Sequence, residues 1–210
     1  TGTQRLEAEI IRRFPQASTL RMDTDTMRKP GSHEQALERF RRGEVQILLG
    51  TQMIAKGLDF PAVTLVGVVN ADTALHFPDF RAGERTLQRV TQVAGRTGRG
   101  DLRGSVLVQT YNPEHLAIRA AIDHDYRRFA EHELASREAF RYPPVSRLVR
   151  IVFRGPAEHA TREFAEAACA RIRSALESET ISARLLGPVA APIARLRGKF
   201  RYHFLVQTED

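Results

Sequence analysis

The order of apolar and polar positions gives this chain two textures. In the first, helix and strand patterns alternate. Gln4 to Phe14 places Leu6, Ile10, Ile11 and Phe14 on one face of an amphipathic helix, which Pro15 ends. Thr19 to Met22 is short and strand-like, and His33 to Arg42 carries Ala36, Leu37 and Phe40 at helical spacing. Val45 to Leu49 runs into Gly50, and Val63 to Val69 is a nearly continuous β-branched run. Runs without alternation are expected to be strands buried on both faces of a parallel sheet. A long helix is expected over Arg81 to Thr97 and a further strand over Ser105 to Thr110. Strand, crossover helix, strand is the order of an α/β layer fold.

The texture changes after Pro113. Ala117 to Phe140 reads as helical throughout, and Tyr142-Pro143-Pro144 is a firm break, because proline removes a donor and constrains the residue before it. Beyond it come a strand over Leu148 to Phe153, a helix over Ala157 to Leu176, and strands over Leu185 to Val189 and Phe200 to Val206. This β-α-β-β order suggests a small α+β module of the split-βαβ, ferredoxin-like type. It lacks that motif's closing helix and strand, so a C-terminal truncation is expected. The domain boundary is placed near residue 143.

Composition adds a partner class. The 210 residues are 42% hydrophobic, enough for a real core, and 32 lysines and arginines against 25 acids leave a net charge of +7. That balance suits a polyanion, nucleic acid before membrane. The one cysteine, Cys169, excludes an internal disulfide framework and a cysteine-based zinc site within the chain. No stretch has the apolar length of a membrane span and no signal-peptide pattern opens the chain, so a cytoplasmic location is expected. A start at Thr1 rather than methionine suggests a fragment.

Three segments carry candidate chemistry. In Gln92-Val93-Ala94-Gly95-Arg96-Thr97-Gly98-Arg99-Gly100, two arginines each follow a glycine and project from a helix end with little bulk around them. Guanidinium forks match phosphate oxygens, and an arginine directed at a γ-phosphate stabilises phosphoryl transfer. A solvated basic turn would use the same residues. Gly50-Thr51-Gln52-Met53-Ile54-Ala55-Lys56-Gly57-Leu58-Asp59-Phe60 follows directly from a strand, where open α/β sheets gather ligands, and its hydroxyl, amide and lysine groups can hold a phosphate backbone. Taken alone, the segment is better read as an ordinary strand-to-helix turn, with Lys56 solvated and Asp59 as a cap. Arg195, Arg197, Lys199 and Arg201 alternate with Phe200 and Tyr202, and on a single strand the four cations would share one face. Phe200, Tyr202 and Phe204 would then face a core, leaving the basic face for DNA or protein. Other candidates favour structure. His124 and His132 read as solvated or satisfied, Cys169 as a small core residue, and Glu38 and Arg42 as a surface pair; Phe77, Phe80 and Phe129 read as core, with packing of the Phe77 segment against DNA or another lobe as the alternative.

Taken in this order, Gly50 to Phe60 and Gln92 to Arg99 resemble motifs V and VI of superfamily-two helicases. Nearly the whole chain is similar to a narrower group, the primosomal replication-restart DNA helicases of bacteria. That likeness runs through Ala71-Asp72-Thr73-Ala74-Leu75-His76-Phe77-Pro78-Asp79-Phe80-Arg81-Ala82-Gly83-Glu84-Arg85, Tyr142-Pro143-Pro144, Leu186-Gly187-Pro188 and Arg195 to Tyr202. The resemblance implies a second RecA-like lobe, residues 1–143, lacking its first strand, followed by a truncated C-terminal α+β domain, residues 144–210. It implies that ATP and magnesium are shared with a first lobe outside this chain. Arg96 and Arg99 would reach the phosphates, Arg99 foremost, with Gln92 linking nucleotide to the strand-gripping elements. Gly57 and Asp59 would border the nucleotide, while Thr51, Gln52 and Lys56 would lie near the DNA backbone. A zinc domain would precede Thr1.

The implied partners are branched and single-stranded DNA, the acidic tail of the single-stranded DNA-binding protein, and primosome and replicative helicase-loading proteins, with no membrane. The implied location is cytoplasmic and nucleoid-associated. The chain contains neither a Gly-x-x-x-x-Gly-Lys-Ser/Thr loop nor an Asp-Glu box, so by itself it is not expected to hydrolyse ATP. The rival readings are a different superfamily-two fork-remodelling translocase, against which the Arg195-to-Tyr202 run argues, and a non-catalytic DNA- or protein-binding adaptor.

Overall fold

The computed structural model describes residues 2–23, 26–27, 31–51, 62–95 and 104–208. It forms two compact units: Thr1–Leu75 with Gly83–His124, and His76–Ala82 with Asp125–Asp210.

In the first unit, helix α1 (Thr3–Arg13) lies against the parallel pair β1 (Thr19–Met22) and β2 (Ile47–Gly50). Arg21 on β1 reaches Glu7 of α1 at 2.9 Å and Asp23 at 2.6 Å, and Thr3 donates to Asp23 at 2.8 Å. These bonds tie the helix to the strand. Helix α2 (Ser32–Arg41) connects β1 to β2 and buries Ala36 and Leu37 against Met22, with Leu20, Phe40, Leu48 and Val63 around them. Glu34 in its first turn and Arg39 and Arg41 in its last suit the helix dipole.

Strands β3 (Leu65–Val68) and β4 (Ser105–Val108) form a second parallel pair. The run from Val63 to Val69, expected to be buried on both faces, alternates instead. Leu65 and Leu107 point to the same side of this two-stranded pair and stand 57% and 63% exposed. The short helix α3 (Asp72–Leu75) is held by Asp72, which is buried and accepts from the Thr110 hydroxyl and the Tyr111 N–H, both at 2.9 Å. Helix α4 (Ala82–Ala94) buries Thr86, Leu87 and Val90.

The helix expected over residues 117–140 is two helices, α5 (Leu116–Ile122) and α6 (Tyr126–Ala139). His124 takes a positive φ of 53°, and Asp125 caps α6 by accepting from the Arg128 N–H at 3.0 Å. The chain passes from the first unit to the second at this break. Division by packing therefore falls ahead of residue 143, because α6 and residues 76–82 group with the C-terminal unit.

The second unit contains β5 (Arg147–Gly155), α7 (Glu158–Ser178), β6 (Ala183–Leu196) and β7 (Lys199–Thr208). The sheet order is β5-β7-β6, with β7 antiparallel to both neighbours. Thus β5 and β6 run the same way with β7 between them, which is the split-βαβ arrangement expected from the pattern. Helix α7 packs on the sheet, and Thr161, Ala165 and Cys169 are buried along it. Phe204 is 0% exposed, with the Phe153 ring 5.7 Å away. The Arg141 carbonyl, at the end of α6, accepts from Gln207 on β7 and from Ser146, fastening the helix to the sheet.

Candidate nucleic-acid interface

The sequence-derived candidates fall in both units. Gln92 is exposed on the last turns of α4, opposite the buried Thr86, Leu87 and Val90, and Thr51 is exposed just past the carboxyl end of β2. Gln52, Lys56, Gly57, Asp59, Arg96 and Arg99 lie outside the described residues. Among the described residues, no group of three or more His, Cys, Asp or Glu side chains could hold a metal ion, and no helix is long and apolar enough to cross a membrane.

The basic C-terminal run is not one strand. Leu196 pairs with Lys199, so Arg197 and Gly198 are the two central residues of a hairpin. Both have positive φ, 50° and 77°, the signature of a type I′ turn, whose twist suits flanking strands. This corrects the expectation that all four cations line one face. Arg195 pairs with Phe200 and sits 5.0 Å over its ring. Phe200 shares its side of β7 with Tyr202, which donates to Glu158 of α7 at 3.3 Å, so Arg195 is on the helix-covered face. Desolvation, reinforced by Glu158, pushes the Tyr202 phenol up from its ordinary pKa.

Lys199 and Arg201 are on the opposite face, where β5 adds cations that the sequence reading missed. Arg154 pairs directly with Arg201, and Val152 with His203. Val152, Arg154, Leu196, Arg197, Lys199 and Arg201 line a recess of about 570 Å³ with no acid among them. Farther along the same face, Arg150 donates through Nε to His203 Nδ1 at 2.8 Å. To accept that bond the imidazole must be unprotonated at Nδ1. Desolvation, then the charges of Arg150 and Arg201, lower its pKa from the ordinary 6.5. Like charges directly across an antiparallel pair repel, and bound phosphate oxygens would relieve that repulsion. The signal for Arg150 and Arg154 was present in the sequence: Arg150, Val152 and Arg154 recur at the two-residue period of one strand face.

Comparison with known proteins matches both units. Residues 1–101 match the helicase conserved C-terminal domain, and residues 138–210 the primosomal protein N C-terminal domain. The chain thus joins a helicase C-terminal domain, which is α/β, to a small antiparallel C-terminal module. It is 45% identical over 207 residues to the replication restart protein PriA of Bacillus subtilis, covering 99% of this chain and 25% of that protein. It is 43% identical over 206 residues to the PriA of Treponema pallidum, covering 98% and 31%, and 41% identical over 210 residues to that of Chlamydia pneumoniae, covering 99% and 27%. The chain belongs to the PriA family, and it spans between a quarter and a third of the length of these curated relatives.

Proposed function

We propose that this chain provides the second RecA-like lobe and the C-terminal module of an ATP-dependent 3′-to-5′ DNA helicase. That helicase binds stalled or branched forks and promotes primosome assembly and replication restart. The reading is supported above all by relatives 41–45% identical across 98–99% of the chain, all of them replication restart proteins. ATP, with magnesium, is the substrate, bound between this lobe and one that supplies the phosphate loop; zinc belongs to a domain outside these residues.

In this arrangement Arg96 and Arg99 neutralise charge on the transferring phosphoryl group. Gln92, four residues earlier in the sequence and exposed on α4, relays nucleotide occupancy to the strand-gripping side. Gly57 and Asp59 border the nucleotide, and Thr51, Gln52 and Lys56 hold DNA phosphates. Arg197, Lys199 and Arg201, joined by Arg154, take a single strand or an acidic tail such as that of the single-stranded DNA-binding protein. Arg195 contributes from the rim of the opposite face. The protein works with the helicase-loading machinery in the nucleoid.

The test is Arg99→Ala in the full-length protein. A motor loses ATP turnover by about a thousandfold, the lower end of what an arginine finger contributes, while still binding DNA. An adaptor would show no DNA-stimulated turnover to lose and would keep its DNA binding and restart activity with Arg99→Ala. The 210-residue chain alone hydrolyses no ATP, and DNA-stimulated activity in it would overturn the shared-cleft arrangement.

A further inference from the structure

Within the second unit, His203 stands on the sheet face that carries Arg154 and Arg201. It lies on the middle strand β7, directly across from Val152 on β5 and Val189 on β6. Both neighbours are β-branched and stiff at χ1, and directly paired side chains stand about 5 Å apart, so the half-buried imidazole has little room to turn. Arg150 is exposed on β5 at the diagonal position and donates through Nε to His203 Nδ1 at 2.8 Å.

The acceptor differs from those that hold other arginines of this chain. Several surface guanidinium groups are fixed by carboxylates, Arg12 and Arg13 by Glu9, Arg42 by Glu38 and Arg127 by Glu131. A carboxylate holds the fork and cancels its charge. A neutral imidazole holds the fork and leaves the charge whole. With Nε engaged, the four N–H donors on Nη1 and Nη2 of Arg150 remain for a further partner. An exposed arginine gives up rotamer freedom on binding, and Arg150 has given up part of it already. Among the described residues, no ion pair includes Arg150, Arg154, Lys199 or Arg201. Arg201 donates to the Ile193 carbonyl at 3.3 Å, which also leaves its charge whole.

We propose that Arg150 is a phosphate contact of single-stranded DNA on this face, and that His203 is the positioning residue that presents it. Arg150 and Arg154 share a side of β5 four residues apart, about 13 Å along the strand, so the contact extends the basic recess along the sheet. A nucleic-acid strand, charged at every unit, matches cations spread over a sheet face, whereas an extended peptide docking on a sheet pairs with its edge. The inference rests on the reading of this face as a DNA surface and deepens it, adding one contact and the group that orients it.

The experiment is fluorescence anisotropy of the full-length protein with a labelled oligothymidine at about pH 8, where an imidazole is neutral. Arg150→Ser is expected to lower affinity about tenfold and to reduce the slope of log affinity against log salt by about 0.7. His203→Ala, which changes no charge at this pH, is expected to lower affinity about threefold, and His203→Gln, which keeps a neutral acceptor, to restore it to within about twofold. The double variant His203→Ala/Arg150→Ser should bind no more weakly than Arg150→Ser, because both changes act on one contact. If His203→Ala does not fold, His203→Leu, which fills the space without an acceptor, makes the same prediction. Wild-type affinity in the variant lacking the acceptor, a loss that glutamine does not restore, or additive losses in the double would overturn the assignment. So would losses confined to a labelled poly-aspartate peptide, which would make the face a site for acidic protein. Unchanged DNA affinity in Arg154→Ser/Arg201→Ser removes the DNA reading of the face and this inference with it, whereas a loss there with wild-type binding by Arg150→Ser removes this inference alone.

Discussion

At His203 the protein holds a neutral imidazole among cations. Arg150 donates to it from β5, Arg201 sits two residues away on the same face, and both favour the unprotonated ring. Its pKa in the folded protein lies below the ordinary 6.5. As pH falls through that value the unfolded chain takes up the proton first, so this group's contribution to stability is present at neutral pH and lost on acidification. Thermal unfolding followed between pH 7 and 5 should show wild type losing more stability than His203→Gln, whose amide oxygen can accept from Arg150 without titrating. Identical pH profiles for the two proteins would refute the assignment. The sequence held no sign of this pair, because 53 positions separate its members and only the β5–β7 register brings them together.

Among the elements, β6 shows why part of the fold was readable and part was not. The sequence reading stopped this strand at Val189, whereas it continues to Leu196. Pro188 and Pro192 disguise the run, and they are tolerated because β6 is an edge strand of the β5-β7-β6 sheet. The register shifts between Leu186 and Val189, and Gly187 sits at this irregularity with φ +107°. A Cβ there would lie 3.0 Å from the His203 carbonyl oxygen and 3.2 Å from the Phe204 Cβ. Gly187→Ala should therefore cost about 1–3 kcal/mol, the usual cost of a residue forced into a glycine-only conformation. Chemical denaturation would check this, and a midpoint equal to wild type would show that the strand can relax. Strands with clean boundaries, such as β1 and β5, were legible from pattern alone. The break between α5 and α6 was not, because His124 and Asp125 interrupt the helix without proline or glycine.

For the whole molecule, the net charge of +7 pointed to a polyanion but could not say where it binds. Folding gathers Arg154, Arg197, Lys199 and Arg201 around one recess and sends Arg195 to the other face. The cations were legible; their grouping required knowing that residues 197–198 are a turn and that β5 lies beside β7. If Arg154 and Arg201 each neutralise one phosphate, Arg154→Ser/Arg201→Ser should weaken single-stranded DNA binding. It should also reduce the slope of log affinity against log salt by about 1.4, or 0.7 per contact. Fluorescence anisotropy between 50 and 200 mM salt would measure this, and an unaltered slope would move the DNA contact elsewhere.

The placement of Phe80 also bears on how the chain is made. Synthesis delivers Phe80 to the folding chain well before Tyr142, the ring on which it stacks, at about 5–20 residues per second. Until then the first unit must assemble around a seven-residue excursion, 76–82, whose aromatic anchor has nothing to stack on. Phe77, 38% exposed even in the finished fold, travels with it. The nascent chain thus passes through a stage with the Phe80 ring uncovered as well, an extra handle for chaperones that is withdrawn once Tyr142 has emerged from the ribosome.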